Sequence, residues 1–173
     1  MQVTYKNQNY TLGKKERIID SEAPAVRINM LSKETKVIGM MAPLIQVMIS
    51  LNDIQKYTKE LDEILKEKAH KLRAYIITTN KEDEVKQVVT EYDIHEGFIS
   101  NEFKDFSLKF GVNINEELIA NSLFIIDKEG LIKYKQIPLN LEDKFELEEF
   151  KEILTETINF KTKGHSHENW MGV

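Results

Sequence analysis

Residues 43–71 constrain the fold most. Leu44-Ile45-Gln46-Val47-Met48-Ile49-Ser50-Leu51 is a nearly unbroken apolar run, β-branched at three positions. A strand with one wet face would alternate. A run apolar at both parities fits a strand covered on both faces, as in the middle of an α/β sheet. Asn52-Asp53 stops it. Beyond that point Ile54, Tyr57, Leu61, Ile64 and Leu65 recur at helical steps, while Lys56, Lys59, Glu60, Glu63, Lys66, Glu67 and Lys68 cover the other side. The pattern predicts a long amphipathic helix capped by Asn52, with Gln55 placed to bond back. In open α/β sheets ligands sit where such a strand gives way to its helix. That junction, residues 50–57, contains no Gly, Cys or His.

The rest of the chain reads as elements around this unit. Val3-Thr4-Tyr5 and Tyr10-Thr11-Leu12 flank a polar turn at Asn7-Gln8-Asn9, which predicts a hairpin. Residues 26–30 and 35–38 predict two more short strands. Residues 72–78 predict a strand and Thr79 or Asn80 a cap, followed by a helix with Val85, Val88, Val89 and Tyr92 inward. Residues 97–100 predict a third strand, and Phe103, Phe106 and Phe110 one face of a short helix ended by Gly111. Residues 122–126 and 131–137 predict an antiparallel pair turning at Asp127-Lys128-Glu129-Gly130. A final helix is predicted over 142–160, with Leu147, Phe150, Ile153, Leu154 and Ile158 inward and an acidic, solvated outer face. Residues 161–173 show no periodicity and read as a mobile tail. Strand–helix alternation calls for parallel strands with crossover helices, and the late hairpin adds antiparallel pairing. The expected fold class is α/β: a central mixed sheet flanked by helices, in one domain over 1–160.

Composition excludes several functions. The 173 residues carry 24 basic and 29 acidic side chains, a net charge of −5, with no basic patch interleaved with aromatics. Nucleic acid is therefore not expected as a partner. No run approaches the roughly 18 apolar residues of a membrane span, so no membrane association is expected. The first residues lack the charged-then-apolar order of a signal peptide, which makes the cytoplasm the expected compartment. There is no cysteine. Disulfides, thiolate metal sites and thiol catalysis are excluded outright.

In its order of elements the chain resembles the thioredoxin-fold peroxiredoxins, and within them the bacterial thiol peroxidases. The resemblance covers about residues 1–160. It rests on the N-terminal hairpin followed by Ala23-Pro24, and on the block from Phe98-Ile99-Ser100-Asn101 to Lys109-Phe110-Gly111-Val112. Its strongest part is Ile119-Ala120-Asn121-Ser122-Leu123-Phe124-Ile125-Ile126-Asp127, with Gly130 and Tyr134-Lys135-Gln136-Ile137 after it. The resemblance implies a thioredoxin-like fold and a possible homodimer through surfaces near the active-site helix turn. The family's activity is thioredoxin-dependent peroxide reduction by a Pro-x-x-x-Thr-x-x-Cys loop, in which a helix N-terminus and a nearby Arg lower the thiol pKa. Here Ser50 falls at the proline, Ile54 near the threonine, and Lys56 or Tyr57 near the cysteine. Asp53 matches the family's Asp, Asn121 stands at the second Arg, and Val88 falls near the resolving cysteine. Proline, threonine, both cysteines and an arginine are missing together. The resemblance therefore implies a pseudoenzyme that keeps the scaffold as a binding module, for a protein partner, a second subunit or a small ligand.

Read from the residues alone, Ser50 is a hydroxyl ending a strand, since a serine nucleophile needs an adjacent base. Asp53 is a helix cap or first-turn acid, and Tyr57 a core residue. Ser50, Asp53, Ile54, Lys56, Tyr57 and Asn121 together mark the expected remnant pocket. The tail holds His165, His167 and Glu168, two imidazoles and a carboxylate that could share a metal ion, although a third or fourth firm ligand is missing. An enzyme with different, metal-assisted chemistry through these histidines is the alternative expectation. No cofactor is implied.

Overall fold

The computed structural model describes residues 1–13 and 15–160. Two antiparallel hairpins open the chain: β1 (Gln2–Tyr5) with β2 (Gln8–Thr11), and β3 (Ala25–Asn29) with β4 (Thr35–Gly39). Then follow β5 (Ile45–Leu51), α1 (Lys59–Glu67), β6 (Leu72–Thr78), α2 (Glu82–Tyr92), β7 (Ile99–Ser100) and α3 (Lys104–Phe110). The antiparallel pair β8 (Ser122–Ile126) and β9 (Ile132–Gln136) and then α4 (Glu148–Asn159) complete the described chain. The central sheet has the order β7-β6-β5-β8-β9. β5 runs parallel to β6 and antiparallel to β8, so the sheet is mixed as the sequence predicts.

All seven residues of β5 are buried. Ile45, Val47, Ile49 and Leu51 join one apolar cluster with Leu61 and Leu65 of α1, Val85 and Val88 of α2, and Phe150 and Leu154 of α4. Met48 joins a second cluster with Phe106 and Phe110 of α3 and with Val26, Ile28 and Ile38 of the second hairpin. The two periodicities of the sequence thus resolve into a sheet with a layer on each side. An irregularity marks the last ladder. Ile125 faces Tyr134 while Ile126 faces Ile132, so Lys133 is extra. This bulge turns Ile132 into the second cluster and Tyr134 into the first. Gly111 ends α3 with φ +72°, and a Cβ there would stand 2.1 Å from the Lys15 carbonyl oxygen. Only glycine satisfies both constraints.

Four expectations are corrected. The helix after β5 is broken: a 3-10 turn at Ile54–Lys56 precedes α1, and α1 is capped by Thr58, whose Oγ1 accepts from the Leu61 amide at 3.3 Å. Asn52 caps nothing, because its amide oxygen is used elsewhere. Neither Thr79 nor Asn80 caps α2; Lys81 holds the cap position. Residues 97–100 give only a two-residue strand, because the chain makes a 3-10 turn at Glu96–Phe98, where His95 Nδ1 accepts the Gly97 amide at 2.9 Å. The last helix begins at Glu148, not at Glu142. Upstream of it, Asn140 Oδ1 accepts the Glu142 amide, and Gln136 exchanges two hydrogen bonds with the Glu146 backbone. Those bonds hold the acidic stretch as an irregular segment beside β9. The mobile-tail reading of 161–173 lies outside the described residues. Among those described, no helix is long and apolar enough to cross a membrane.

Candidate functional site

At the end of β5 the chain ties a knot of small polar side chains. Ser50 points to the same face as Met48, opposite Ser122 in the β5–β8 ladder. Its hydroxyl donates to the Ala120 carbonyl at 2.9 Å, and the two serine oxygens lie 2.5 Å apart. With one proton each, Ser50 gives its own to Ala120 and accepts that of Ser122. Asn121 is 1% exposed. Its Oδ1 accepts the Asn52 amide at 2.8 Å and its Nδ2 donates to the Leu141 carbonyl at 2.9 Å. Asn52 Oδ1 accepts the Ile119 amide, and the Asn52 carbonyl accepts the Thr79 hydroxyl at 2.8 Å. Asn80 Oδ1 accepts both the Ile54 amide and the Thr78 hydroxyl at 2.7 Å. Among the described residues no buried side-chain polar atom lacks a partner. The end of the strand is cross-linked by these bonds.

The other expected site residues sit around this knot. Asp53 is exposed and caps the 3-10 turn, its Oδ1 accepting the Gln55 amide at 3.0 Å. Ile54 is fully buried beneath it. Lys56 donates to the Glu142 carbonyl at 2.8 Å. Tyr57 is buried, yet more than packing holds it. Its hydroxyl donates to Asp62 Oδ1 at 2.8 Å, and its ring meets Tyr92 edge-on at a centroid distance of 5.1 Å. Burial first, and the bond to Asp62 second, push the phenol well above its ordinary value. Tyr57 is therefore a neutral hydrogen-bond donor, not a nucleophile. Ser50 has a carbonyl and a second serine as neighbours and no base, so it has no partner for covalent catalysis.

The structure brings Ser50, Asn52 and Asn121 together through hydrogen bonds at the β5–β8 end. Ser50, Asp53, Ile54, Lys56 and Asn121 line none of four prominent clefts among the described residues. Tyr57 does line one, a groove of about 270 Å³ that sequence reasoning did not find. Leu72, Ala74 and Ile76 of β6 contribute to it, with Leu65 from α1 and with Ile94 and Phe98 from the connection after α2. Lys66, Arg73, Asp93 and His95 add charged or polar groups. A signal existed: in the buried alternation Leu72, Ala74, Ile76, one position is a small residue. Among the described residues no three His, Asp or Glu side chains come together to hold a metal. His165, His167 and Glu168 lie outside the described residues.

No protein-family model and no curated protein matches this sequence. Solved structures match its shape. A peroxiredoxin-like protein from Aquifex aeolicus aligns with a TM-score of 0.79 and 22% identity, over 90% of this chain and 96% of that one. A thiol peroxidase from Chromobacterium violaceum aligns with a TM-score of 0.70 and 15% identity, again over 90% and 96%. A thiol:disulfide interchange protein of the thioredoxin family from Chlorobium tepidum aligns with a TM-score of 0.59 and 12% identity, over 83% and 99%. The chain has the thioredoxin-like fold that these proteins share, with an N-terminal hairpin.

Proposed function

We propose that the protein is a binding module on a peroxiredoxin-like scaffold, without thiol peroxidase activity. One observation carries this reading. Where the resemblance places a cysteine, at Lys56 or Tyr57, the chain has no thiol, and where it places an arginine stands Asn121, with both ends of its amide hydrogen-bonded. Peroxide reduction of that kind needs an anionic nucleophile that passes through a sulfenic acid and is recovered by a second thiol. Serine, lysine and tyrosine offer no such cycle. A fold shared with enzymes does not supply their chemistry, which lives in the site. Part of the same proposal is a homodimer formed through the 53–57 turn, where Asp53 and Gln55 are exposed, and neighbouring loops, in the cytoplasm.

The test is a coupled assay with thioredoxin, thioredoxin reductase and NADPH, offering hydrogen peroxide and an alkyl hydroperoxide to the chelator-treated protein. The expected result is NADPH loss at the background rate. Turnover clearly above background would overturn the reading. Sedimentation at micromolar concentration tests the dimer separately: a clean monomer removes the interface and leaves the absence of peroxidase chemistry untouched.

A further inference from the structure

We propose that the groove beside α1 is a binding site for a small monocarboxylate with an apolar body, such as an arylacetic or branched-chain acid. The inference rests on the reading of the protein as a binding module, and it assigns the ligand class. Sites for small molecules are concave, mostly apolar and carry a few fixed polar groups. The groove has that make-up. Leu72 and Ile76 are buried apolar side chains of β6 with Ala74 between them, and the absent bulk at Ala74 leaves room. Leu65, Ile94 and Phe98 complete its apolar lining. At about 270 Å³ it is just below the usual range for drug-sized ligands, which selects a molecule of about ten heavy atoms.

The polar groups fix the sign of the charge. Asp62 already has its partners, accepting from Tyr57 at 2.8 Å and pairing with Lys66 at 3.2 Å. Lys66 also donates to the Tyr92 carbonyl. Arg73 is different. It has no ion pair among the described residues, and its one hydrogen bond runs from Nη1 to the Leu72 carbonyl at 3.2 Å. Most of its five N–H donors remain for a planar anion, which a carboxylate matches. His95 engages Nδ1 with the Gly97 amide, so Nε2 carries the proton of the neutral ring and is a second donor. Asp93 is the opposing charge. Like Arg73 and His95 it is exposed and screened by solvent, and it stands alone against those two donors, the Asp62 carboxylate being buried and paired.

The experiment is a titration of the full chain, followed by amide chemical shifts, with three isosteric probes: phenylacetate, phenylacetamide and phenethylamine. Phenylacetate is expected to bind at about millimolar affinity, in keeping with so small a ligand. Its shifts should centre on the amides of Leu72, Ala74, Ile94 and Phe98. Arg73→Gln should weaken phenylacetate about tenfold and leave phenylacetamide unchanged, because one charge-assisted contact is removed. Ala74→Leu, which fills the groove, should abolish binding of both. Equal binding of acid and amide, stronger binding of the amine, shifts centred elsewhere, or no shift at all would each overturn the proposal. Failure here leaves the peroxidase assay unaffected, and peroxidase turnover would sink the binding-module reading whatever the titration shows.

Discussion

The junction after β5 and the groove along α1 meet at Tyr57, and they are built on opposite plans. In the junction every buried side-chain polar atom is matched. Asn52, Asn80 and Asn121 each engage their amide groups with backbone or side-chain partners, and Ser50 gives its hydroxyl proton to Ala120. In the groove the apolar surface is left open and, among the described residues, Arg73 forms no ion pair. The contrast teaches that shape and chemistry were decoupled here. The end of β5 is closed by hydrogen bonds, and the accessible space lies one helix flank away. Burying polar groups is harmless only when their satisfaction is complete; a half-satisfied knot would be worse than an apolar plug.

Substitutions test that contrast most sharply at Asn121. Asn121→Ala strips a partner from the Asn52 amide and from the Leu141 carbonyl at once, in a site that is 1% exposed. Two buried backbone groups left unmade should cost about 2–4 kcal/mol. A thermal melt should then move down by roughly 4–16 °C, at about 2–4 °C per kcal/mol for a chain of this size. A shift under about 2 °C would mean that the knot is loose and solvated, and the contrast with the groove would fail.

Tyr57→Phe comes next, because it acts on the residue the two regions share. It leaves a buried Asp62 with only Lys66 as partner and should cost about 1–2 kcal/mol. The pH dependence follows from the raised phenol. The unfolded chain releases the Tyr57 proton near pH 10, while the native state holds it. Above that pH the native state binds more protons than the unfolded state, so stability falls as pH rises. Tyr75 and Tyr134 are also raised, chiefly by burial, and add to the same slope. Urea midpoints at about pH 8 and about pH 11 should therefore differ less in Tyr57→Phe than in the parent chain. An unchanged difference would place the alkaline loss in the other tyrosines alone.

In the groove, stability should barely respond. Arg73→Gln and Ala69→Glu alter exposed side chains that carry no ion pair among the described residues, and each should stay within about 0.5 kcal/mol of the parent. A larger loss at Arg73 would show that its bond to the Leu72 carbonyl is structural, and the polar groups of the groove would then be as fully engaged as those of the junction.

The sequence displayed the sheet and hid the connections. The unbroken apolar run of β5 and the alternation of β9 are period signals, which survive without knowledge of partners. The phenylalanine spacing that predicts α3 is read in the same way: Phe106 stacks on Phe110 at 4.5 Å, and Phe110 meets Phe124 at 5.1 Å. The caps were not legible. Asn52 and Asn80 are good capping residues by type, but their side chains serve groups 67 and 26 residues away in sequence, the Ile119 and Ile54 amides. Local preference is overruled wherever a buried backbone amide has no other partner. The same holds for Glu142, whose acidic neighbours look like a helix start, while Gln136 holds the segment to β9 instead. That Ser50 and Asn52 would stand at the end of β5 was readable in the sequence. That they are sealed was not, because sealing depends on the Asn52–Asn121 contact across 69 residues.

The smallest expected effect is at Lys56. Lys56→Cys returns a thiol to a partly exposed position in the 3-10 turn and removes one donor to the Glu142 carbonyl. The fold should lose under about 1 kcal/mol, the value of a single exposed hydrogen bond. Peroxidase turnover should remain at background. A free thiol with a pKa near 8.5 is largely protonated at neutral pH unless a cation or helix terminus lowers it. The turn is one 3-10 segment whose Ile54 and Gln55 amides are already taken by Asn80 and Asp53, so few backbone donors face a thiolate there. Asn121 brings no fixed charge, and both ends of its amide are bound. No second cysteine exists to resolve a sulfenic acid. The variant should still react slowly and once with peroxide, giving a dimedone-trappable sulfenic acid. Repeated turnover with thioredoxin would show that the junction opens enough to assemble a working site, and the contrast between a sealed junction and an open groove would no longer stand.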